Sequence, residues 1–458
     1  MKFLIKNLGP IKEAEIEPGD LTIICGKNNT GKTYLTYTLS TFFDTVTDNI
    51  RVPLPANIID ELLQTGVLHI ELENYICEYI ERIKKLLPDF TNSLPRFLAM
   101  HPDRFRNTDI QIDISKDEIV NDIKDGNITH NVIAKLTSNC SIKMIKDGAS
   151  SSITILLLNQ GEQLPKREII EEGIAFIFAQ ILNGNPLHPV FPKAFVITCE
   201  RTGAALFRTE LIISSQLSTE NNSNIEERKQ LNGQYEFRGY QRPVGKDLKF
   251  VIHLKDVSSE ESEIQKENSE IISLLSEIVG GKYILDEDTN QVKFMPEGTN
   301  ESLALAESSS TVRALMELNF YLRHKAQRSQ MFVFDEPELN LHPENQRKIA
   351  RLLAMLVNAG IRVLITTHSD YIIKEFNTLL MLNYADDPRM PALQKKYGYT
   401  PSELLKADQL RVYCVENGKS TEVKVSQDVG IGISSFDENI RAMGKMQRDI
   451  LYGGKKNA

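Results

Sequence analysis

The chain has 458 residues, which is enough for two or three domains with a large buried core. Its net charge of -9 at pH 7 excludes a basic surface over the whole molecule, although it still allows a local basic groove. Hydrophobic residues make up 41% of the chain, and no apolar run approaches the length of a membrane span.

The N-terminal residues and the cysteines indicate where the protein resides. Residues 1–6 carry a charge at position 2 and are typical of a short strand rather than a signal peptide. The five cysteines are odd in number and lack the paired spacing of metal ligands. Three of them lie in apolar, strand-like runs, where cysteine behaves as a small hydrophobe. We therefore expect a cytoplasmic protein with no membrane segment and no zinc site.

The first predicted elements place a glycine-containing loop between a strand and a helix. Residues 2–17 alternate like two strands around a Gly9-Pro10 turn, and residues 21–25 form a short apolar strand. A helical pattern covers residues 33–43. The loop between them fits the pattern G-x-x-x-x-G-K-[ST] completely, in the context that this pattern requires. Its residues are Gly26, Lys27, Asn28, Asn29, Thr30, Gly31, Lys32 and Thr33.

Each part of this loop suits the binding of a nucleoside triphosphate. The glycines let the backbone curl so that its N–H groups point inward at phosphate oxygens. The N-terminus of the following helix adds a favourable dipole. Lys32 supplies positive charge to the β and γ phosphates, and the Thr33 hydroxyl can ligate Mg²⁺. The sequence therefore predicts an ATP site with Mg²⁺.

The middle of the chain carries no chemical motif. We expect residues 1–45 to form the N-terminal part of an ATPase head, residues 46–190 a helical and β insertion, and residues 191–208 a return strand. A second insertion then covers 209–281, with a mobile tip at the polar segment 217–232 and a single helix at 260–279. Residues 282–458 complete the head, beginning with a hairpin at 282–295 and continuing as alternating strands and helices. This alternation predicts an α/β fold with a largely parallel sheet.

Three serines begin a helix some twenty residues before the next strand. Ser308, Ser309 and Ser310 precede an apolar face, and serines at a helix start are usually caps that satisfy orphan N–H groups. Taken alone, this pattern favours the capping role.

Two carboxylates follow the apolar run at residues 331–334. Asp335 and Glu336 would lie at the carboxyl edge of a parallel sheet, where ligands of such sheets bind. Asp335 is placed to hold Mg²⁺, directly or through water. Glu336 is placed to orient and deprotonate the attacking water. We identify the pair as a Walker B motif because the same chain carries a complete phosphate loop.

A histidine follows the next predicted strand. Pro343 opens a helix that ends before Gly360, and the strand at residues 361–366 then delivers His368. Because the neighbouring strand carries the acid pair, we expect His368 to lie near the γ-phosphate. His342, which directly precedes Pro343, is assigned a structural role.

With these motifs in order, the sequence resembles ABC/SMC-type ATPases, a group that includes the RecF and OLD proteins. It looks most similar to the compact ATPase subunits of anti-phage systems such as PARIS and Septu. The resemblance covers roughly the first 45 residues, residues 196–206 and residue 283 to the end. The motifs that carry it are residues 7–11, 26–33, 199–203, 335–343, 367–371 and 429–431.

The resemblance implies an ABC-type head with an antiparallel β subdomain and gives roles to individual residues. Lys32 and Thr33 would bind phosphate and Mg²⁺, Asp335 would bind Mg²⁺, Glu336 would act as catalytic base and His368 as switch residue. Residues 308–310 would form the signature that covers the γ-phosphate held by a second subunit. Relatives usually have glycine in this signature, and its absence here predicts slow hydrolysis. No residue is assigned to the Q-loop, and the role of residues 200–202 stays open between function and structure.

The resemblance also implies partners. ATP would join two copies into a homodimer, and such dimers can assemble into a hexamer. OLD and Gabija-type relatives carry a Toprim nuclease after the ATPase, but fewer than eighty residues follow Leu380 here, and a strand at 411–415 and a helix at 436–451 account for much of them. The leading hypothesis is therefore an anti-phage sensor or scaffold that holds a separate effector, a nuclease.

Two alternatives belong to other functional classes. A RecF-like repair ATPase would bind duplex DNA across the dimer, and the basic residues near the C-terminus give weak support to this reading. The ATPase subunit of a transporter would need a glycine in the signature and a head without large polar insertions.

Overall fold

A computed structural model describes residues 1–125, 130–146, 151–161, 164–185, 188–220, 239–286, 288–384, 387–432 and 445–448. Within these ranges, no helix combines the length and the apolar character that a membrane crossing requires.

The strands are numbered here in chain order. They are β1 Lys2–Leu8, β2 Ile11–Ile16, β3 Leu21–Cys25, β4 Val67–Glu71, β5 Asp109–Asp113, β6 His130–Lys135, β7 Cys140–Lys146, β8 Ser152–Asn159, β9 Gly184–Asn185, β10 His188–Pro189, β11 Ala194–Ile197, β12 Gly281–Leu285, β13 Val292–Pro296, β14 Leu303–Ala304, β15 Met331–Asp335, β16 Arg362–Thr367, β17 Leu410–Glu416, β18 Lys419–Val423, β19 Val425–Ser426 and β20 Gly430–Ile431.

The helices are numbered in the same way. They are α1 Lys32–Asn49, α2 Ala56–Thr65, α3 Glu73–Phe97, α4 Lys116–Asp125, α5 Arg167–Leu182, α6 Arg201–Leu206, α7 Arg208–Glu220, α8 Arg242–Ile252, α9 Leu254–Val257, α10 Glu263–Glu267, α11 Ser269–Val279, α12 Ser310–His324, α13 Pro343–Asn358, α14 Asp370–Met381 and α15 Met390–Tyr397.

A nine-stranded sheet in the order β11-β15-β16-β3-β17-β18-β2-β1-β5 forms the centre of the fold. The five strands from β11 to β17 are parallel to one another, whereas β17–β18 and β2–β1–β5 are antiparallel pairings. Strands β3 and β15 are buried along their whole length, as expected for parallel strands covered on both faces. Separate antiparallel sheets are formed by β4-β8-β7-β6 and by β12-β13-β14. The predicted α/β fold with a mostly parallel core sheet, antiparallel sheets and inserted helices is confirmed.

Helix α1 contacts both the central sheet and α3. Phe42 on α1 makes edge-to-face contacts with Phe3 on β1, with 5.6 Å between ring centroids, and with Phe90 on α3, at 5.0 Å. Strand β5 also pairs with β1, with Ile5 opposite Ile110. The phosphate-loop helix therefore packs against both the head sheet and α3.

The local predictions have three different outcomes. The hairpin at 282–295 is confirmed by the pairing of β12 with β13. The prediction of a single helix at 260–279 is wrong, because the helical conformation is interrupted at Asn268, between α10 and α11. Asn268 has φ −129° and ψ 56°. The Ser262 side chain caps α10 and donates a 2.6 Å hydrogen bond to Leu322 O, which anchors this short helix separately. Of the polar segment predicted at 217–232, residues 217–220 belong to α7, whereas residues 221–232 and most of the helix expected at 436–451 lie outside the described residues.

Candidate functional site

The phosphate loop turns tightly between β3 and α1. Gly26 has φ +146° and Gly31 has φ +102°, values that favour glycine. A Cβ atom at Gly26 would lie 2.5 Å from Val415 O, and one at Gly31 would lie 2.6 Å from Ile11 Cδ1. Gly26 is therefore required by space as well as by backbone conformation, whereas Gly31 is required by its backbone conformation.

Lys32 crosses the inside of this loop. Its side chain is buried, and Nζ donates hydrogen bonds of 2.9 Å to both Gly26 O and Lys27 O. An ammonium group has three donors, so one remains for a further acceptor. The loop thus holds the lysine charge at the start of α1, where a phosphate group would meet it.

An open cavity of about 760 Å³ lies beside the loop. This volume is within the usual range of ligand sites. The phosphate loop from Asn28 to Thr33 and Glu336 line it, together with Gly9, Pro10, Tyr34 and Arg104. Arg104 donates a 3.0 Å hydrogen bond to the Tyr34 hydroxyl. Sequence reasoning missed Tyr34 and Arg104, and no motif identified them.

Asp335 ends the buried strand β15 and is 1% exposed. Its carboxylate oxygen Oδ1 accepts a hydrogen bond from the Thr366 hydroxyl on β16. The other oxygen, Oδ2, accepts a hydrogen bond from the Tyr37 hydroxyl on α1, at 3.1 Å. Burial raises the pKa of Asp335, and so does the nearby Glu336 charge, whereas the two hydroxyl hydrogen bonds oppose the rise.

The residues near Asp335 suit a hydrated magnesium ion. A carboxylate keeps free lone pairs after accepting two hydrogen bonds, so Asp335 can still bind Mg²⁺ or one of its waters. Within the described ranges, no group of three or more His, Cys, Asp or Glu side chains surrounds a metal-sized space. This donor set fits Mg²⁺, which usually keeps several waters and binds one or two protein ligands together with substrate phosphates.

Glu336 follows in an unusual backbone conformation. Its φ is +49°, in the left-handed region that non-glycine residues rarely adopt. Its N–H donates a 3.0 Å hydrogen bond to Thr366 Oγ1, and its carbonyl accepts a 2.6 Å hydrogen bond from Arg201. Glu336 also lines the cavity. Its main chain is therefore held by hydrogen bonds on both sides at the edge of the space for a ligand.

His368 lies beside two glutamates. Its Nδ1 is 3.8 Å from Glu336 Oε1 and 3.2 Å from Glu338 Oε1. Glu338 is buried, and its Oε1 also accepts hydrogen bonds from the Thr367 hydroxyl at 2.9 Å and the His368 N–H at 2.7 Å. Half-exposed His368 thus lies near Glu336 and contacts a buried carboxylate that the sequence analysis did not assign, while its proximity to the γ-phosphate stays a prediction.

The serines at the start of α12 lie apart from this cavity. Ser308 is buried and donates a 3.0 Å hydrogen bond to Ala304 O, while Ser309 caps the helix by accepting from Val312 N–H. Ser309 and Ser310 are exposed. None of the three lines the cavity of its own chain. The expected capping role is therefore present, and a role toward a second subunit stays a prediction.

Several residues that hold the site carried only weak signals in the sequence. Thr366 directly precedes the Thr367-His368 pair, and Glu338 follows the acid pair by two residues, so both lie within recognisable segments. Arg201 belongs to the motif at 199–203, for which the sequence left the role open. Tyr37 had no signal, because it is one of several polar residues on α1.

His342 has the structural role that was assigned to it. It is the N-cap residue of α13, and its ring nitrogen accepts a hydrogen bond from Glu344 N–H. Pro343 follows at the first helical position, where its missing N–H costs nothing.

Comparison with known proteins gives a family match and distant structural likenesses. The AAA_15 family model, described as an AAA ATPase domain, matches residues 1–373. A search of curated proteins gave no match. An SMC head bound to the C-winged helix domain of ScpA is 13% identical, with a TM-score of 0.34, covering 93% of this chain and 97% of that one.

Two further SMC structures are similar at the same level. The head domain of Pyrococcus furiosus, with an extended coiled coil and the C-terminal domain of ScpA, is 14% identical, with a TM-score of 0.31 and coverages of 97% and 98%. The SMC head domain from Thermotoga maritima is 12% identical, with a TM-score of 0.28 and coverages of 93% and 98%.

Proposed function

Since this chain belongs to the AAA ATPase domain family, we propose that its cavity binds ATP with Mg²⁺ and that residues of the acid pair hydrolyse it. The single observation that carries the proposal is the convergence of Lys32, Glu336 and the start of α1 on one cavity. Lys32 and Glu336 are far apart in the sequence, and they are brought together by β3 and β15, two strands of one parallel sheet with β16 between them.

Each residue has a defined task in this reaction. Lys32 binds the β and γ phosphates, and the loop N–H groups and the N-terminus of α1 hold the same anion. Thr33 and Asp335 would hold Mg²⁺, which would supply positive charge to the phosphate oxygens. Glu336 accepts the proton of the attacking water. His368, which lies beside Glu336, faces the terminal phosphate.

The second part of the proposal is a site completed by another copy of the chain. Ser309 and Ser310 are exposed at the N-terminus of a fifteen-residue helix, where hydroxyl and N–H donors suit an anion. The Thr311 hydroxyl donates a 3.0 Å hydrogen bond to Asn340 O, which ties this helix start to the segment that follows the acid pair. ATP would then join two heads through each other's serines.

The third part concerns the biological role, which we propose on the resemblance to anti-phage ATPase subunits. ATP-dependent joining of two heads would hold or release a separate nuclease effector. Around the start of the second insertion, Leu206, Phe207 and Ile213 expose 41%, 56% and 52% of their surface. Exposed apolar side chains of this kind are suited to binding another protein.

One experiment tests the catalytic and dimeric parts together. Glu336→Gln should bind ATP with Mg²⁺ at unchanged affinity, hydrolyse it at least about a hundredfold more slowly, and accumulate dimers measured by light scattering after gel filtration. Lys32→Ala should lose nucleotide binding, with Lys85→Ala as the control for removing an exposed lysine on α3. Normal turnover by Glu336→Gln would show that another residue is the base.

A mixing experiment tests the shared site. Ser309→Arg should bind ATP but hydrolyse it poorly, because the arginine would obstruct the interface between two heads. Adding an excess of Lys32→Ala, which supplies intact serines, should restore part of the turnover at the ATP site of the Ser309→Arg chain. If the mixture is no more active than the sum of its parts, the shared site is disproved.

The defence role has its own test. A host expressing this chain with its neighbouring reading frames should plate phage less efficiently than a host expressing Lys32→Ala with the same frames. Equal plating across a panel of unrelated phages would count against this role while leaving the ATPase proposal intact.

A further inference from the structure

A fully buried arginine lies behind the acid pair. Arg201, at the start of α6, has 0% exposure and its guanidinium is 4.8 Å from the centre of the Phe334 ring. One terminal nitrogen donates to Asp335 O at 2.8 Å and to Thr198 O at 3.0 Å, and the other donates to Glu336 O at 2.6 Å. The planar guanidinium of Arg201 thus donates hydrogen bonds to two consecutive carbonyls, those of the proposed metal ligand Asp335 and the proposed base Glu336.

The charges of two buried carboxyl groups favour the charged form of this arginine. Asp247 on α8 is 2% exposed and Glu317 on α12 is 0% exposed. Asp247 Oδ2 accepts hydrogen bonds from the Thr198 hydroxyl at 2.6 Å and from its N–H at 2.9 Å. Within the described part of the chain, Asp247 Oδ1, both Glu317 carboxyl oxygens and Arg201 Nε are buried without a hydrogen-bond partner.

The simplest charge state of this cluster is one shared proton. Burial raises the pKa of both acids, and the charge of Asp247 raises the pKa of Glu317 further. One proton held by the two acids leaves a single negative charge to balance the positive charge of Arg201. The cluster is neutral overall, which removes most of the cost of burying a charge.

We propose that Arg201 is a positioning residue for ATP hydrolysis, with its charge balanced by Asp247 and Glu317, and that it sets the direction of the Glu336 carboxylate. This inference rests on the proposed ATPase function. The φ of +49° at Glu336 is a conformation that costs about 1–2 kcal/mol for a non-glycine residue. Such a backbone persists only where its surroundings hold it, and here the Arg201 and Thr366 hydrogen bonds do so on both sides.

The same cluster joins this backbone to two distant elements. Asp247 belongs to α8, the first helix described after the polar segment of the second insertion, and Glu317 lies on the helix that begins with the serines. Lys246, next to Asp247, also forms a 2.5 Å ion pair with Asp44 on α1. Because Asp247 accepts from Thr198, whose carbonyl accepts from Arg201, movement of α8 would shift the carbonyl of Glu336 through Arg201, without contact to the nucleotide.

The test compares two arginine-to-lysine substitutions in the full chain. Arg201→Lys keeps the charge but replaces a planar fork, in which each terminal nitrogen binds one of the two carbonyls, with a single ammonium on a shorter side chain. We expect kcat to fall at least tenfold, while the affinity for ATP measured by calorimetry stays within about twofold. Arg208→Lys is the matched control, because Arg208 is also buried and donates to backbone carbonyls, including Val251 O at 2.7 Å, away from the acid pair. It should lose stability without loss of kcat.

Each other result has a defined meaning. Unchanged kcat in Arg201→Lys, or equal loss of kcat in both variants, would overturn the inference. If Arg201→Lys does not fold, Asp247→Asn replaces it, since the amide keeps an acceptor for Thr198 but removes the charge facing Arg201. It should show the same loss of kcat at retained ATP affinity, and no loss of kcat would refute the proposal. Absence of hydrolysis by the unaltered chain would instead defeat the proposed function itself.

Discussion

The Tyr37 hydroxyl on the phosphate-loop helix donates a 3.1 Å hydrogen bond to Asp335 Oδ2 at the end of the acid-bearing strand. This bond favours the ionised form of Asp335 and opposes the effect of burial on its pKa. Tyr37→Phe should therefore raise the pKa of Asp335. Because the ionised form binds Mg²⁺, the acidic limb of kcat against pH should move to higher pH, measured as ATP turnover between pH 5 and 8.

Tyr79→Phe is the matched control for this prediction. Tyr79 lies on α3 rather than on α1 and is as buried as Tyr37. Its hydroxyl donates a 3.2 Å hydrogen bond to Asn183 Oδ1. Both variants should lose about 0.5–1.5 kcal/mol of unfolding free energy, the usual value of one hydrogen bond. Only Tyr37→Phe should shift the pH profile, and an equal shift in both would contradict the assignment.

Replacing a glycine of the phosphate loop should abolish ATP binding, whereas replacing a glycine within a helix should change only the stability of the protein. Gly31→Ala would place a Cβ atom 2.6 Å from Ile11 Cδ1 at a φ of +102°, so the loop should distort and ATP binding should be lost. Gly203→Ala on α6 meets nothing within 4 Å and should stabilise the protein by about 0.5–1 kcal/mol. Calorimetric titration with ATP and urea unfolding give the two readouts. Full ATP affinity in Gly31→Ala would contradict the loop geometry.

The Thr366 hydroxyl serves both acids, donating to Asp335 and accepting from the Glu336 N–H. Thr366→Val should leave a buried carboxylate and an N–H short of one partner each, at a cost of about 1–3 kcal/mol in unfolding free energy. We also expect kcat to fall at least tenfold. Urea unfolding and ATP turnover measure the two effects.

Thr41→Val on α1 is the control for losing a buried hydroxyl. Thr41 Oγ1 is buried without a hydrogen-bond partner in the described part of the chain, so the variant should be neutral or slightly stabilising. If Thr41→Val destabilises as much as Thr366→Val, then packing rather than the hydrogen bonds explains the loss.

The buried acid Glu317 should make stability depend on pH in a particular direction. Its pKa is raised in the folded state by burial and by Asp247. Above the unfolded pKa of about 4.3, the folded state therefore binds more protons than the unfolded state, and stability should fall as pH rises toward the folded pKa. Glu317→Gln removes this contribution, so its Tm should decline less steeply from pH 5 to pH 8.

Glu270→Gln on α11 supplies the comparison, because it removes an exposed carboxylate with the same change of side chain. Asp247 remains in both variants and keeps a slope of the same sign. A Tm that declines with pH identically in the unaltered chain and in Glu317→Gln would mean that Glu317 is not protonated in the folded state.

Much of the site could be predicted from the sequence because its motifs are contiguous. The spacing of Gly26, Gly31 and Lys32 specifies a loop conformation by itself, since positive φ values and the reach of one lysine are local properties. The acid pair and His368 follow apolar runs, and parallel strands bring their carboxyl ends to one edge. Residues at that edge lie close together whatever the connections between the strands.

The contacts that hold these groups could not be predicted in the same way. Tyr37 and Asp335 are 298 positions apart, and Arg201 and Asp335 are 134 positions apart. Their pairing depends on how α1 and α6 pack against β15, which is a property of the whole core. A tyrosine within a helix, or an arginine after a strand, has the same appearance in sequence whether it is exposed or buried.

The sequence by itself determined the elements whose chemistry lies within a few consecutive residues: the phosphate loop, the acid pair, the capped helices and the alternation that produces a parallel sheet. Only the tertiary structure decided that Arg201 is fully buried behind Glu336, that Glu338 lies beneath His368, and that helix 260–279 is broken at Asn268. The physical reason is that burial and hydrogen bonding between distant residues depend on packing, which no local pattern contains.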